Sequence, residues 1–341
     1  MGRSGWRVRA PGSESNAEQR RTGRLLPPVP GPVQDSSALD IRRVLPFNAI
    51  GKDSEIRPAG AVCTPAGICT ESGATIEKKQ IVETVSNETN KQLSPVICIG
   101  AVAPAAWTYA RLQRLLGERA SLVLMDLVGY IEPLAVDYGL HSEVEAITRA
   151  ANAGGFHRFH LVGYSAGGAV ALACALTYSE RVSSLTLIEP AWIGNHAWDP
   201  LEMVYLSNVD RAMQLPVAQR GRALLVAMSP PEIDPSTIAT PDWLMERAVG
   251  FASIWQGFRE ATLDMKSLQS FPAPVYLPVG GKSHPRFLLA ARWLASLLPR
   301  SRVDVYQNQN HLEAPPIRET ERFIRVVHPL WVASASYQSA F

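Results

Sequence analysis

A serine between two glycines is the residue of this sequence best suited to act as a nucleophile. Ser165 is the centre of Gly163-Tyr-Ser-Ala-Gly167, a G-x-S-x-G pattern. The apolar run before it, residues 159–162, predicts a buried strand, and the alanine-rich run 168–176 predicts a helix. In such a tight strand-to-helix turn the apical residue is strained, and its neighbours two positions away must be small. The pattern therefore predicts a nucleophile elbow that presents the hydroxyl of Ser165.

A serine hydroxyl is a poor nucleophile unless a base lies within hydrogen-bond reach, and that base is nearly always histidine. The chain has seven histidines. His311 lies in a polar loop just after the last predicted strand, and His284 follows the strand predicted at 274–279, so both are candidates. His160 precedes the elbow within its strand and is predicted to be a packed core residue instead.

The elements that must position these residues alternate along the chain. Buried strands are predicted at 96–99, 121–125, 159–162, 182–188, 274–279 and 302–306, and helices at 109–116, 142–153, 168–176, 285–298 and 316–327. This alternation predicts a parallel sheet covered by helices on both faces. Residues 61–69, 74–76 and 80–85 predict short antiparallel strands ahead of it.

One long section interrupts the alternation. Residues 191–268 contain no predicted strand, so we expect a helical insertion over the carboxyl edge of the sheet, where such folds keep their sites. The predicted organisation is a disordered extension at 1–57, an α/β core formed by 58–190 and 269–341, and a helical cap at 191–268. The methionine and aromatic residues of the cap predict an apolar pocket.

The order of these parts resembles the α/β-hydrolase superfamily over roughly residues 60–335. Asp126-Leu-Val-Gly-Tyr130 is similar to the D-x-x-G-[FY] turn of that family, residues 158–168 to the lead-in to its nucleophile, and residues 310–316 to its C-terminal histidine loop. The resemblance implies an α/β-hydrolase fold, with a mostly parallel central sheet, helices on both faces and an inserted helical cap. It also implies that His311 is the base.

The insertion is similar to the caps of esterases, C–C hydrolases, dehalogenases and epoxide hydrolases. The last two usually present aspartate at the elbow, so Ser165 argues against them.

The third catalytic residue departs from the pattern of this family. Most members place an aspartate a few residues beyond the strand equivalent to 274–279, but here Gly280-Gly-Lys-Ser-His-Pro285 holds no carboxylate. Glu189 comes directly after the strand 182–188, where some members carry the acid, and is the predicted replacement. The alternative is that Glu189 only ends its strand and pairs with a residue of the cap. Asp126 is the other acid near the edge of the sheet, but its motif more often closes a turn than supports catalysis, so a structural role is predicted for it.

The oxyanion hole is a second departure. Members of the family have His-Gly after the strand equivalent to 96–98, whereas this chain has Ile99-Gly100-Ala101. Because the donor is a backbone N–H group, the missing histidine side chain need not remove it. The amides of Ala101 and Ala166 are the predicted oxyanion donors.

The length, composition, net charge and cysteine count of the chain exclude several classes of protein. With 341 residues, 46% of them hydrophobic, the chain can build a large core, and a net charge of +2 argues against a nucleic-acid binder. No apolar run reaches 18 residues, so no membrane span is predicted. Four scattered cysteines predict a reduced, cytoplasmic protein. The pattern implies no metal and no cofactor. The cysteines are Cys63, Cys69, Cys98 and Cys174.

The sequence thus predicts a serine hydrolase that cleaves a small or medium apolar ester through an acyl-enzyme, with Ser165, His311 and Glu189 as the triad. Two alternatives stay open: a C–C bond hydrolase of the ring-cleavage type, and a catalytically inactive binding protein of this fold. The expected partner is a small-molecule substrate. The oligomeric state is undecided, a homodimer being one option.

Overall fold

The computed structural model describes residues 93–130, 134–196 and 198–332. The extension predicted at 1–57 lies outside these residues. So do the short strands predicted between 61 and 85, and with them Cys63 and Cys69.

Six parallel strands form the sheet in the described residues. They are β1 (Val96–Ile99), β2 (Leu122–Met125), β3 (Phe159–Tyr164), β4 (Val182–Ile188), β5 (Val275–Gly280) and β6 (Ser301–Tyr306). Their order is β2-β1-β3-β4-β5-β6, and every neighbouring pair is parallel. The strand that leads to Ser165 therefore lies inside the sheet, between β1 and β4.

Helices cover both faces of this sheet. The α-helices of the described residues are α1 (Ala105–Thr108), α2 (Ala110–Leu116), α3 (Leu140–Ala153), α4 (Ala166–Thr177), α5 (Pro200–Met213), α6 (Val217–Met228), α7 (Asp242–Glu260), α8 (Met265–Gln269), α9 (Pro285–Leu297), α10 (Pro315–Arg318) and α11 (Thr320–Trp331). Successive side chains of a strand point to opposite faces, and two separate apolar cores result. Ile97 and Ile99 belong to one core, whereas Val96 and Cys98 belong to the other. The predicted parallel sheet between two helical layers is confirmed.

Between β4 and β5 the described residues form helices α5 to α8 and no strand. Helix α7 packs closely against the turn after β2, because Gly250 lies against the carbonyl of Gly129 and Arg247 pairs with Asp126 at 2.6 Å. None of the described helices combines the length and the apolar character needed to cross a membrane.

Candidate active site

Ser165 occupies the turn between β3 and α4 in a strained backbone conformation. Its φ is +51°, in the left-handed region that residues with a side chain rarely adopt. A Cβ on Gly163 would lie 2.4 Å from the carbonyl oxygen of Gly167, and a Cβ on Gly167 would lie 2.2 Å from that of Gly100. The flanking glycines are therefore required by the close approach of α4 to β3 and β1.

Three buried side chains form a hydrogen-bonded chain at this turn. The Oγ of Ser165 lies 3.1 Å from Nε2 of His311, and Nδ1 of His311 lies 2.6 Å from Oε2 of Glu189. Each of the three residues is at most 5% exposed. The structure thus brings together the three residues that the sequence predicts as a triad, although 146 positions separate Ser165 from His311.

Glu189 reaches from the end of β4 to the end of β5. Its second oxygen, Oε1, accepts a 2.7 Å hydrogen bond from the backbone N–H of Gly280, the last residue of β5. Its own φ is +45°, a second strained conformation beside the elbow. Both carboxylate oxygens are occupied, so the side chain is fixed with one oxygen toward His311.

The ring of His311 is held by neighbours that the sequence analysis did not identify. Phe287, in the first turn of α9, stacks on the imidazole with ring centroids 4.3 Å apart and planes inclined by 7°. The hydroxyl of Tyr164 donates a hydrogen bond to the carbonyl oxygen of His311. Both partners are distant in sequence from His311, and an aromatic residue in a helix or strand gives no local signal for such a contact.

His284, the alternative base, is engaged elsewhere. It precedes α9, and its Nδ1 accepts a 3.1 Å hydrogen bond from the backbone N–H of Arg286. Burial and the nearby guanidinium of Arg286 lower the pKa of His284. The histidine that contacts Ser165 is His311.

His160 and Asp126 also have structural partners. The Nδ1 of His160 lies 2.7 Å from Oγ of Ser184, and burial lowers the pKa of this core histidine to about 4. Asp126 accepts a 2.7 Å hydrogen bond from the backbone N–H of Ala105 and pairs with Arg247. Asp126 therefore connects the turn after β2 to helix α1 and to helix α7.

The predicted oxyanion donors lie at the ends of the elements that meet at Ser165. Ala166 is the first residue of α4, so its N–H is one of those without a partner inside the helix. Ala101 follows Gly100, whose carbonyl faces Gly167, and is buried. Their role as donors stays a prediction.

An apolar cavity of about 40 Å³ adjoins Ser165. Most of its walls come from α5, α6 and α7, and none of its lining side chains is charged. Burial raises the pKa of Tyr205, which lines it, to about 12, so this phenol is neutral near pH 7. The lining residues are Val102, Tyr130, Ser165, Ala166, Ala191, Tyr205, Val209, Met213, Leu224, Met228, Phe251, Ile254, Trp255 and Phe258.

The family model of the α/β-hydrolase fold matches residues 95–263, which include β1 to β4, the elbow and helices α5 to α7. The chain has the α/β-hydrolase fold. The resemblance and the fold class that the sequence predicted are thereby confirmed. Comparison with curated proteins gave no match.

Several solved structures are similar to most of this chain. The meta-cleavage product hydrolase CumD from Pseudomonas fluorescens IP01 is 22% identical, covering 70% of this chain and 91% of its own, with a TM-score of 0.54. A probable hydrolytic enzyme from Pseudomonas aeruginosa PAO1 is 18% identical, covering 70% and 85%, with a TM-score of 0.53. A thermophilic esterase from Thermogutta terrifontis is 18% identical, covering 69% and 88%, with a TM-score of 0.50. At these identities the similarity concerns the fold.

Proposed function

We propose that this protein is a serine hydrolase that cleaves a small or medium apolar ester through an acyl-enzyme. The observation that carries the proposal is the chain of contacts from Ser165 through His311 to Glu189, at 3.1 and 2.6 Å. A hydroxyl within hydrogen-bond reach of an imidazole that is itself held by a carboxylate is the arrangement that activates serine.

In this proposal each residue of the triad has its own step. Ser165 attacks the ester carbonyl while Nε2 of His311 takes its proton, and Glu189 stabilises the imidazolium through Nδ1. The amides of Ala101 and Ala166 hold the negative oxygen of the tetrahedral intermediate. His311 then gives the proton to the leaving alcohol, and a water molecule, deprotonated by His311, releases the acid and restores Ser165.

The walls of the cavity support this substrate class. Its lining is apolar apart from two tyrosines and Ser165 itself, and its volume is about 40 Å³. A space of this size holds a few heavy atoms, so a short acyl group is the best fit. In this proposal residues 191–268 form a cap, because α5, α6 and α7 supply most of the walls.

Labelling with a fluorophosphonate probe tests the proposal, followed by turnover of p-nitrophenyl esters of increasing chain length. We expect wild type to label and Ser165→Ala and His311→Ala to lose both labelling and turnover. Turnover should be fastest with acetate to butyrate esters. A wild type that neither labels nor cleaves any ester would refute the proposal and leave a binding role for the cavity.

Cleavage of a C–C bond beside a carbonyl is the second candidate, favoured by the structural similarity to a meta-cleavage product hydrolase. The lining offers no charged side chain to hold the acidic group of a ring-cleavage product. Comparing turnover of such a product with that of p-nitrophenyl acetate decides between the two, and we expect the ester to be preferred.

A further inference from the structure

A fully buried ion pair lies beside the candidate active site and has no part in the proposed mechanism. Arg286, in the first turn of α9, pairs with Glu202 of α5, and neither side chain has exposed surface. Its Nε and Nη2 donate to the two carboxylate oxygens, the latter at 2.8 Å. Burial acts to lower the pKa of Arg286, but the Glu202 carboxylate raises it above its usual value, so the guanidinium stays charged.

Stability alone does not account for this pair. Removing two charges from water costs free energy that their attraction only partly returns, and apolar residues of similar volume often replace a buried pair without loss. Arg286 also makes a contact outside this pair that no apolar residue could make, because its Nη1 donates a hydrogen bond to the carbonyl oxygen of Pro190.

That carbonyl belongs to the residue directly after Glu189. The segment around it is already tied to the elbow, because the N–H of Ser165 donates to Ile188 and the N–H of Ala191 donates to Ser165, both at 2.9 Å. Glu189 itself has a φ of +45°, which persists only where the surroundings impose it. The bond from Arg286 fixes the next peptide group of this segment.

The same turn of α9 also contacts the predicted base. Phe287, next to Arg286, stacks on the imidazole of His311. One helical turn thus touches the backbone beside the predicted acid and the ring of the predicted base.

Building on the proposed function, we propose that Arg286 is a positioning residue. Its guanidinium, oriented by Glu202, fixes the Pro190 carbonyl and thereby keeps the carboxylate of Glu189 on Nδ1 of His311. The hydrogen bond from Arg286 to Pro190 thus stabilises the position of Glu189, an acid that follows β4 and not β5.

The test compares variants that separate folding from positioning. The double variant Arg286→Met/Glu202→Leu removes both charges, keeps the volume apolar and lacks the bond to Pro190. Arg181→Met is the matched control, because Arg181 also donates to main-chain carbonyls, those of Phe156 and His157, beside the opposite end of β4.

We expect kcat of the double variant for p-nitrophenyl acetate to fall about 10- to 100-fold, the effect of a small misplacement of a catalytic group. Its KM should stay within about twofold, and unfolding should stay cooperative. The downfield proton resonance of the His311 Nδ1 hydrogen bond, identified by its absence in His311→Ala, should weaken. Arg181→Met should keep kcat within about threefold of wild type.

A folded double variant with unchanged kcat and an unchanged resonance would overturn the role of Arg286. If the double variant does not fold, Arg286→Lys decides, because it keeps the charge but lacks the planar fork that reaches both partners. Its kcat must then fall without a matching fall in melting temperature. If wild type cleaves no ester, the proposed function fails. The downfield resonance, compared between wild type and the double variant, then tests by itself whether Arg286 holds Glu189 on His311.

Discussion

Glu189 is the residue on which the proposed chemistry depends most, because the loop after β5 offers no carboxylate. Replacing it with glutamine keeps the shape but removes the charge that stabilises the imidazolium and selects the tautomer of His311. We expect Glu189→Gln to lower kcat about ten-thousandfold with little change in KM. Steady-state kinetics on p-nitrophenyl acetate measure both.

The matched control is Asp126→Asn, which removes the carboxylate of a residue that pairs with Arg247 rather than with His311. Its kcat should stay within about fivefold of wild type. A loss as large as that of Glu189→Gln would contradict the assignment of the acid.

Phe287 gives a second prediction at the scale of one residue. Its ring lies parallel to the imidazole at 4.3 Å and limits the rotation of His311. We expect Phe287→Leu to lower kcat about tenfold, since such ring contacts contribute about 0.5–1.5 kcal/mol.

Phe323→Leu is the control for packing, because Phe323 is equally buried but its ring contacts Tyr276. Both variants should lose similar stability on thermal unfolding. Equal kcat values in the two would show that the stacking has no catalytic consequence.

At the scale of elements, the close packing of α7 requires that Gly250 has no side chain. A Cβ on Gly250 would lie 1.8 Å from the carbonyl oxygen of Gly129. Exposed glycines in helices usually gain stability on replacement with alanine, but here the added methyl must push α7 from the core. We expect Gly250→Ala to lose about 1–3 kcal/mol in the free energy of unfolding, measured by urea denaturation.

The same change should alter the cavity, because α7 supplies Phe251, Ile254, Trp255 and Phe258 to its lining. The preference among p-nitrophenyl esters should shift toward longer chains. Val249→Ala, an exposed position on the same helix, should leave both stability and preference near wild type. A stabilised Gly250→Ala variant would show that α7 does not pack as described.

The elements differed in how far local sequence could predict them. The elbow was predictable because strand, glycines and helix lie within twenty residues and their geometry is local. The contact between Glu189 and His311 joins residues 122 positions apart, and the family resemblance, not periodicity, pointed to them. The pair of Arg286 with Glu202 had no such guide, because a buried arginine resembles a solvated one in sequence.

At the scale of the whole molecule, the two apolar cores meet at a sheet that contains one buried histidine. His160 of β3 is 3% exposed, and burial lowers its pKa from 6.5 to about 4. In the unfolded chain the histidine takes up a proton below about pH 6.5, whereas in the folded protein it stays neutral until about pH 4. The unfolded state therefore binds more protons in this window, and stability must fall as pH falls through it.

The contribution of His160 to this fall should be about 2 kcal/mol between about pH 7 and pH 4.5. We expect His160→Gln to reduce the difference between the free energies of unfolding at these two pH values by that amount, since glutamine does not titrate. Urea denaturation of both proteins at both pH values measures it, and His157→Gln, at an exposed position, is the control. If His160→Gln shows the same pH difference as wild type, the histidine is protonated within the folded core, and Ser184 must then accept a hydrogen bond from an imidazolium.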